Sequence, residues 1–183
     1  MTQKPAGRIV HLNGWPGTGK LTVGRLLARS LGARLIDNHT LLNPAEVLFA
    51  RSNPLHASLR KQIRRAVFDH ALHADPAESF VFTDALADDE HDGAMFSSYV
   101  DLAAARGADL VAVLLDCAPE ENARRLISPG RSEALKLTDP AKLQQLRANY
   151  KLLRGLAEYT VEIDTTDLSP EQTAARIRTH IGV

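Results

Sequence analysis

The sequence predicts an α/β protein: a five-stranded parallel sheet covered by helices on both faces, in three layers. Three observations carry that reading. Short β-rich runs alternate with helical patterns along the whole chain, the order in which a parallel sheet is built. The run 110–115 is continuously apolar, as in a strand buried on both faces. Four of the runs end on an aspartate (Asp37, Asp84, Asp116 and Asp164), which puts acid groups at one edge of the sheet.

The strands are expected at 8–13, 33–37, 79–84, 108–116 and 159–164, and the helices at about 19–31, 54–73, 90–106, 119–127, 140–154 and 170–181. Their caps are legible. Ser169-Pro170-Glu171-Gln172 offers an N-cap serine, a first-turn proline and a glutamine that closes a capping box. Asp139-Pro140 repeats the cap and proline. Over 54–73, Leu55, Leu59, Ile63 and Val67, continued by Ala71, recur at four-residue spacing, predicting the buried face, while Arg60, Lys61, Arg64 and Arg65 point elsewhere. No repeat, low-complexity stretch or linker divides the chain, so 1–183 reads as a single domain.

The first strand leads into Gly14-Trp15-Pro16-Gly17-Thr18-Gly19-Lys20-Leu21-Thr22, and a helix with Val23, Leu26, Leu27 and Leu31 on one side follows. A glycine-rich turn entering a helix aims successive backbone N–H groups inward around a phosphate, and Lys20 adds a mobile charge for the β- and γ-phosphates. This is the Walker A arrangement in the strand–turn–helix context it requires. One position departs: the hydroxyl expected directly after the lysine is Leu21, and Thr22 points about 100° away on a helix.

Charge sharpens the picture. The 22 basic and 22 acidic side chains cancel, but residues 1–65 hold 11 basic and 2 acidic groups, whereas 66–105 hold 9 acidic and no basic ones. The blocks are either solvated faces that neutralise one another or a division of labour, anion on one segment and metal or hydroxyl on the other. The lone Cys117 excludes an internal disulfide framework and is expected to be a buried small residue. The absence of a secretory leader or of a run of about 18 apolar residues makes a cytoplasmic protein without a membrane partner the expectation.

On these residues the chain resembles the small P-loop kinases: shikimate, gluconate and adenylate kinases and the antibiotic phosphotransferases acting on chloramphenicol or tunicamycin. The likeness covers nearly the whole length by order of elements and is specific at 14–20. It implies the P-loop nucleoside triphosphate hydrolase fold with strand order 2-3-1-4-5, ATP and Mg²⁺ as cofactors, and transfer of the γ-phosphoryl group to a hydroxyl of a small molecule. Gly14, Trp15, Pro16, Gly17, Thr18, Gly19, Lys20, Leu21 and Thr22 would hold the triphosphate. Asp37 would orient or deprotonate the acceptor, with Asn38 and His39 binding it; the alternative is that Asp37 simply caps the next turn. Asp84 would hold Mg²⁺ through water or bind substrate. The acids Asp88, Asp89, Glu90 and Asp92 read better as a solvated helix start than as a metal cluster. The lid implied at 127–138 would bring Arg131 over the phosphoryl group, with Arg124 or Arg125 facing inward, Arg124 being the one assigned to the nucleotide. Thr165, in the loop after the last strand, would lie along the adenine, and the acceptor would occupy 38–75.

Two other readings stand beside this one. Leu21 motivates a nucleotide-binding regulator that holds ATP without turnover. The basic segment 51–65 motivates a polynucleotide kinase, although only 5% of the chain is aromatic and no aromatics interleave those charges to stack bases, so nucleic acid is not the expected partner.

Overall fold

The central strand β1 (Arg8–Asn13) is apolar on both sides of its pleat, and the fold follows from covering both. The computed structural model describes residues 6–128, 136–155 and 157–182. After β1 come α1 (Lys20–Leu31), β2 (Arg34–Asp37), α2 (Asn38–Leu48), α3 (Pro54–His73), β3 (Phe80–Thr83), α4 (Glu90–Arg106), β4 (Asp109–Asp116), α5 (Pro119–Leu126), α6 (Pro140–Asn149), β5 (Tyr159–Asp164) and α7 (Pro170–His180). The five strands pair in parallel in the order β2-β3-β1-β4-β5, as the resemblance implied.

Alternation sorts the core into layers. Val10 and Leu12 join Val81, Val111 and Val113 under Val23 and Leu27 of α1 and Ile177 of α7. Ile9 turns to the opposite face, where Phe80 and Phe82 pack with Phe96, Tyr99 and Leu102 of α4. A third cluster, Trp15 with Leu114, Leu126, Leu143 and Leu152, sits against the loop that follows β1. Register aligns the strand ends: Asp37 lies opposite Thr83, and Asp116 opposite Asp164. The polar residues ending the strands therefore share the carboxyl edge of the sheet, with the loop at its centre, between β3 and β4.

The structure departs from expectation in three elements. Helix α2 was not anticipated, because Pro44 reads as a breaker; here it lies inside the helix, which Asp37 caps and Leu41 and Ala45 bury. Helix α6 stops at Asn149 instead of 154: Tyr150 is extended, and Leu152 bridges to Ala87 while Leu153 enters the Phe80–Phe82 cluster. On α3 the expected apolar face is rotated. Of the expected row only Ala71 is buried, Leu55 being 56% exposed and Leu59, Ile63 and Val67 half-buried, whereas His56 is buried and Arg60 and Arg64 are half-buried.

Candidate active site

The loop after β1 is braced before any ligand arrives. A Cβ on Gly14 would stand 2.2 Å from the Leu115 carbonyl oxygen, so only glycine lets β4 approach this closely. Gly19, at φ +90°, is the N-cap of α1 and has no heavy atom within 4 Å of where its Cβ would be, which leaves the helix N-terminus open to an anion. Thr18 Oγ1 donates to the Trp15 carbonyl (3.0 Å), and Asn122 Nδ2 donates to that of Pro16 (2.8 Å). Lys20 Nζ donates to the carbonyls of Gly14 (2.6 Å) and Trp15 (2.9 Å), spanning the loop. Arg147 stacks over Trp15 at 5.7 Å while donating to Asp116 and Asn122.

A cleft of about 820 Å³ runs from this loop to the start of α2, lined by Gly17, Gly19, Lys20, Leu21 and Thr22 on one side and Asp37, Asn38 and His39 on the other. Asp37 combines the two readings offered for it. As N-cap, its Oδ1 accepts from the His39 N–H (2.9 Å) and its Oδ2 from the Thr40 hydroxyl (3.0 Å), yet the carboxylate still faces the cleft. The Asn38 N–H donates to Thr83 Oγ1 at 3.2 Å. Burial, with Lys136 and Lys20 nearby, pushes the His39 pKa below the usual histidine range, against opposing effects of Asn43 and Asp37.

Asp84, expected to hold the metal or substrate, is instead the anchor of a buried network. It lines the cleft but is only 2% exposed. Its Oδ1 accepts from Arg64 Nη2 (2.8 Å), and its Oδ2 faces His11 Nε2 at 3.1 Å and accepts from the Tyr99 hydroxyl. Burial alone would raise its pKa; the His11 hydrogen bond and the Arg64 charge outweigh that and hold it at about 2. Burial beside this carboxylate drives the Tyr99 phenol well above its ordinary value. One turn back on α3, Arg60 has no hydrogen-bonded or ion-paired partner among the described residues. Burial and the charges of Arg64 and Arg51 press its pKa below the usual arginine range, with Glu46 and Asp84 in partial opposition.

Few side chains of the cleft have an oxygen free to ligate Mg²⁺, which keeps several waters and takes one or two carboxylates besides substrate phosphates. Leu21 offers none, both Asp84 oxygens are engaged, and among the described residues no three His, Cys, Asp or Glu side chains group to hold a metal. Asp89 caps α4 by accepting from the Asp92 N–H, and Asp92 accepts from the Ala87 N–H, so these acids serve the helix start.

A second recess of about 290 Å³ adjoins the loop on the α7 side, lined by Gly17, Thr22, Arg125, Thr165, Leu168 and Thr173. Thr165 is buried; its N–H and hydroxyl both donate to the Asp116 carbonyl. Arg125 binds the Thr165 hydroxyl and carbonyl (2.9 and 2.7 Å) as well as Glu121. Arg124, the residue assigned to the nucleotide, turns away from the recess: its side chain is 72% exposed and forks onto Glu121, and at the end of α5 it is the next residue, Arg125, that turns inward. Arg131 and most of the 127–138 segment lie outside the described residues. Cys117 is buried, as expected, and burial raises its thiol pKa.

Sequence reasoning missed Arg60, Arg64, Asn122 and Arg147. The Arg60–Arg64 spacing was the available signal, since four residues apart on a helix is one face. It stayed hidden because a neighbouring row, Leu55–Leu59–Ile63–Val67, is more apolar.

A braced glycine loop at the centre of a 2-3-1-4-5 parallel sheet, with a helix N-terminus behind it and an acid across one cleft, is the fold of the small P-loop kinases, to which the chain is similar in sequence and in structure. In sequence it is 26% identical over 179 residues to the shikimate kinase of Corynebacterium glutamicum, across 96% of this chain and 97% of that one. In structure it is similar to a gluconokinase from Sinorhizobium meliloti (TM-score 0.66, 19% identity, 98% of this chain and 94% of that one). It is also similar to the Mycobacterium tuberculosis APS kinase solved with AMPPNP and APS (TM-score 0.62, 18% identity, 98% and 99%). No family model matches the chain. Among the described residues, no helix is long and apolar enough to cross a membrane.

Proposed function

We propose that the protein transfers the γ-phosphoryl group of ATP to a hydroxyl of a small molecule that carries an anionic group. One observation carries the reading: the loop with Lys20 and the carboxylate of Asp37 face each other across a single cleft. In the reaction an acceptor oxygen forms its bond to the γ-phosphorus as the bond to the β–γ bridging oxygen breaks, ADP departs with that electron pair, and the hydroxyl proton passes to Asp37. Each Asp37 oxygen accepts one hydrogen bond in the cap and keeps a further lone pair for the acceptor. Lys20, now on its own loop carbonyls, would turn to the phosphates and neutralise charge as it moves to the leaving group.

The chain would work as one domain, with the acceptor held by 38–75. Asn38 and His39 would bind acceptor hydroxyls. Arg125 and Thr165 line the recess that suits the base and ribose end of the nucleotide. The anionic requirement rests on Arg60, half-buried and without a hydrogen-bonded or ion-paired partner among the described residues, near Arg51 and Asp84, which line the cleft. The test is phosphate transfer from labelled ATP to a panel of hydroxy acids and neutral polyols. Transfer is expected to the acids, to fall about 10²-fold or more in Lys20→Ala, and to show a KM for acceptor raised about tenfold with kcat nearly kept in Arg60→Ala. Transfer to neutral polyols alone would refute the anionic requirement. The regulator reading keeps one observation in its favour, Leu21; tight ATP binding without transfer to any panel member would select it.

A further inference from the structure

A phosphate loop of this kind ordinarily gives its divalent cation one direct protein ligand, the hydroxyl following the lysine. Here that side chain is the half-buried Leu21, which lines the cleft with Arg25 and Lys136. Of the two carboxylates that line the cleft, Asp84 would have to release Arg64, His11 or Tyr99 before it could serve, and Asp37 is held as the cap of α2 by the His39 N–H and the Thr40 hydroxyl. Thr22 follows Leu21 on α1, is exposed, and lines the recess toward Thr165 as well as the cleft. Cations, by contrast, are plentiful: Lys20, Arg25, Lys136 and Lys142 all line the cleft.

We infer that this protein binds the triphosphate through its own cations and gives the accompanying Mg²⁺ no direct protein ligand, so that nucleotide binding does not depend on the metal. The inference rests on the reading of the loop as a nucleotide site. Linkage supplies the physical consequence. Mg²⁺ can tighten ATP binding only as much as bound ATP on the protein tightens Mg²⁺, and a metal that gains no protein ligand gains nothing there. A cationic cleft also attracts the more negative free nucleotide at least as strongly as its magnesium complex.

The experiment is calorimetric titration of the full chain with ATP, once in excess Mg²⁺ and once in EDTA, for the wild type and for Leu21→Thr. The wild type is expected to bind both forms with dissociation constants within about threefold, or the free form more tightly. In Leu21→Thr, which restores the hydroxyl, Mg²⁺ is expected to tighten binding about tenfold; Leu21→Ser repeats that arm without a β-branched side chain. Wild-type binding that is tenfold or more tighter with Mg²⁺ overturns the inference. A threonine or serine variant that stays as indifferent to Mg²⁺ as the wild type overturns the assignment of Leu21. Absence of ATP binding in both buffers by a chain that still unfolds cooperatively overturns the nucleotide reading itself, and the inference with it.

Discussion

Asp84 is a carboxylate that burial should neutralise, yet its partners hold it at about 2, below its ordinary 3.8. A carboxylate depressed on folding contributes stability that is present above its unfolded pKa and is lost as the pH falls toward the folded value. Asp84 should therefore contribute about 2 kcal/mol at neutral pH that disappears between about pH 4 and pH 2. Urea unfolding across that window should show the stability gap between wild type and Asp84→Asn narrowing as acid is added; parallel curves would contradict the network. Asp37 carries a different kind of load, a helix cap on a residue that faces the cleft. Asp37→Ala is expected to lower stability by about 1 kcal/mol, whereas asparagine, an equally good cap, should leave it nearly unchanged.

Among the elements, α3 anchors a carboxylate of the cleft wall, Asp84, through Arg64. Its inward row is His56, Arg60 and Arg64 in place of the expected leucines, because Asp84 at the end of β3 and Tyr99 on α4 supply partners for a guanidinium at that height. Partners brought from distant sequence are invisible to a periodicity argument, which saw only that Leu59, Ile63 and Val67 were more apolar. Helix α2 was hidden for a local reason, Pro44, although Leu41 and Ala45 keep the four-residue spacing of a buried stripe. What local chemistry governs was legible: the Ser169–Gln172 capping box, the Asp139 cap and the glycine loop all stand where their residues predicted. Arg124 and Arg125 lie between these cases, since adjacency on a helix says that one turns inward but not which. The α3 account predicts strong coupling. Arg64→Met leaves Asp84 buried without its cation and should lower stability by about 3–5 kcal/mol, while adding Asp84→Asn should recover part of that loss. Additive losses in a double-mutant cycle by urea unfolding would contradict it.

Across the whole molecule, the neutral sum of charges resolves into contact between blocks. Arg34 pairs with Glu78 and Arg64 with Asp84, so the basic first third and the acidic middle meet along β2, β3 and α3. The exposed Arg34–Glu78 pair is worth little on its own, but the buried Arg64–Asp84 pair holds the acceptor side of the cleft to the sheet that carries the loop. Lys20, Arg25 and Lys136 all line the cleft, and the proposed nucleotide and acceptor, both anionic, complement the sign of those charges. The central claim, that this cleft joins the Lys20 loop to an acid that activates an acceptor, is tested most directly by Asp37→Asn. The measurement is transfer of labelled γ-phosphate to a hydroxy acid, read beside ATP affinity and thermal unfolding of the same variant. Transfer should fall about 10²-fold or more while affinity and unfolding stay at wild-type values. Undiminished transfer by Asp37→Asn would contradict the account.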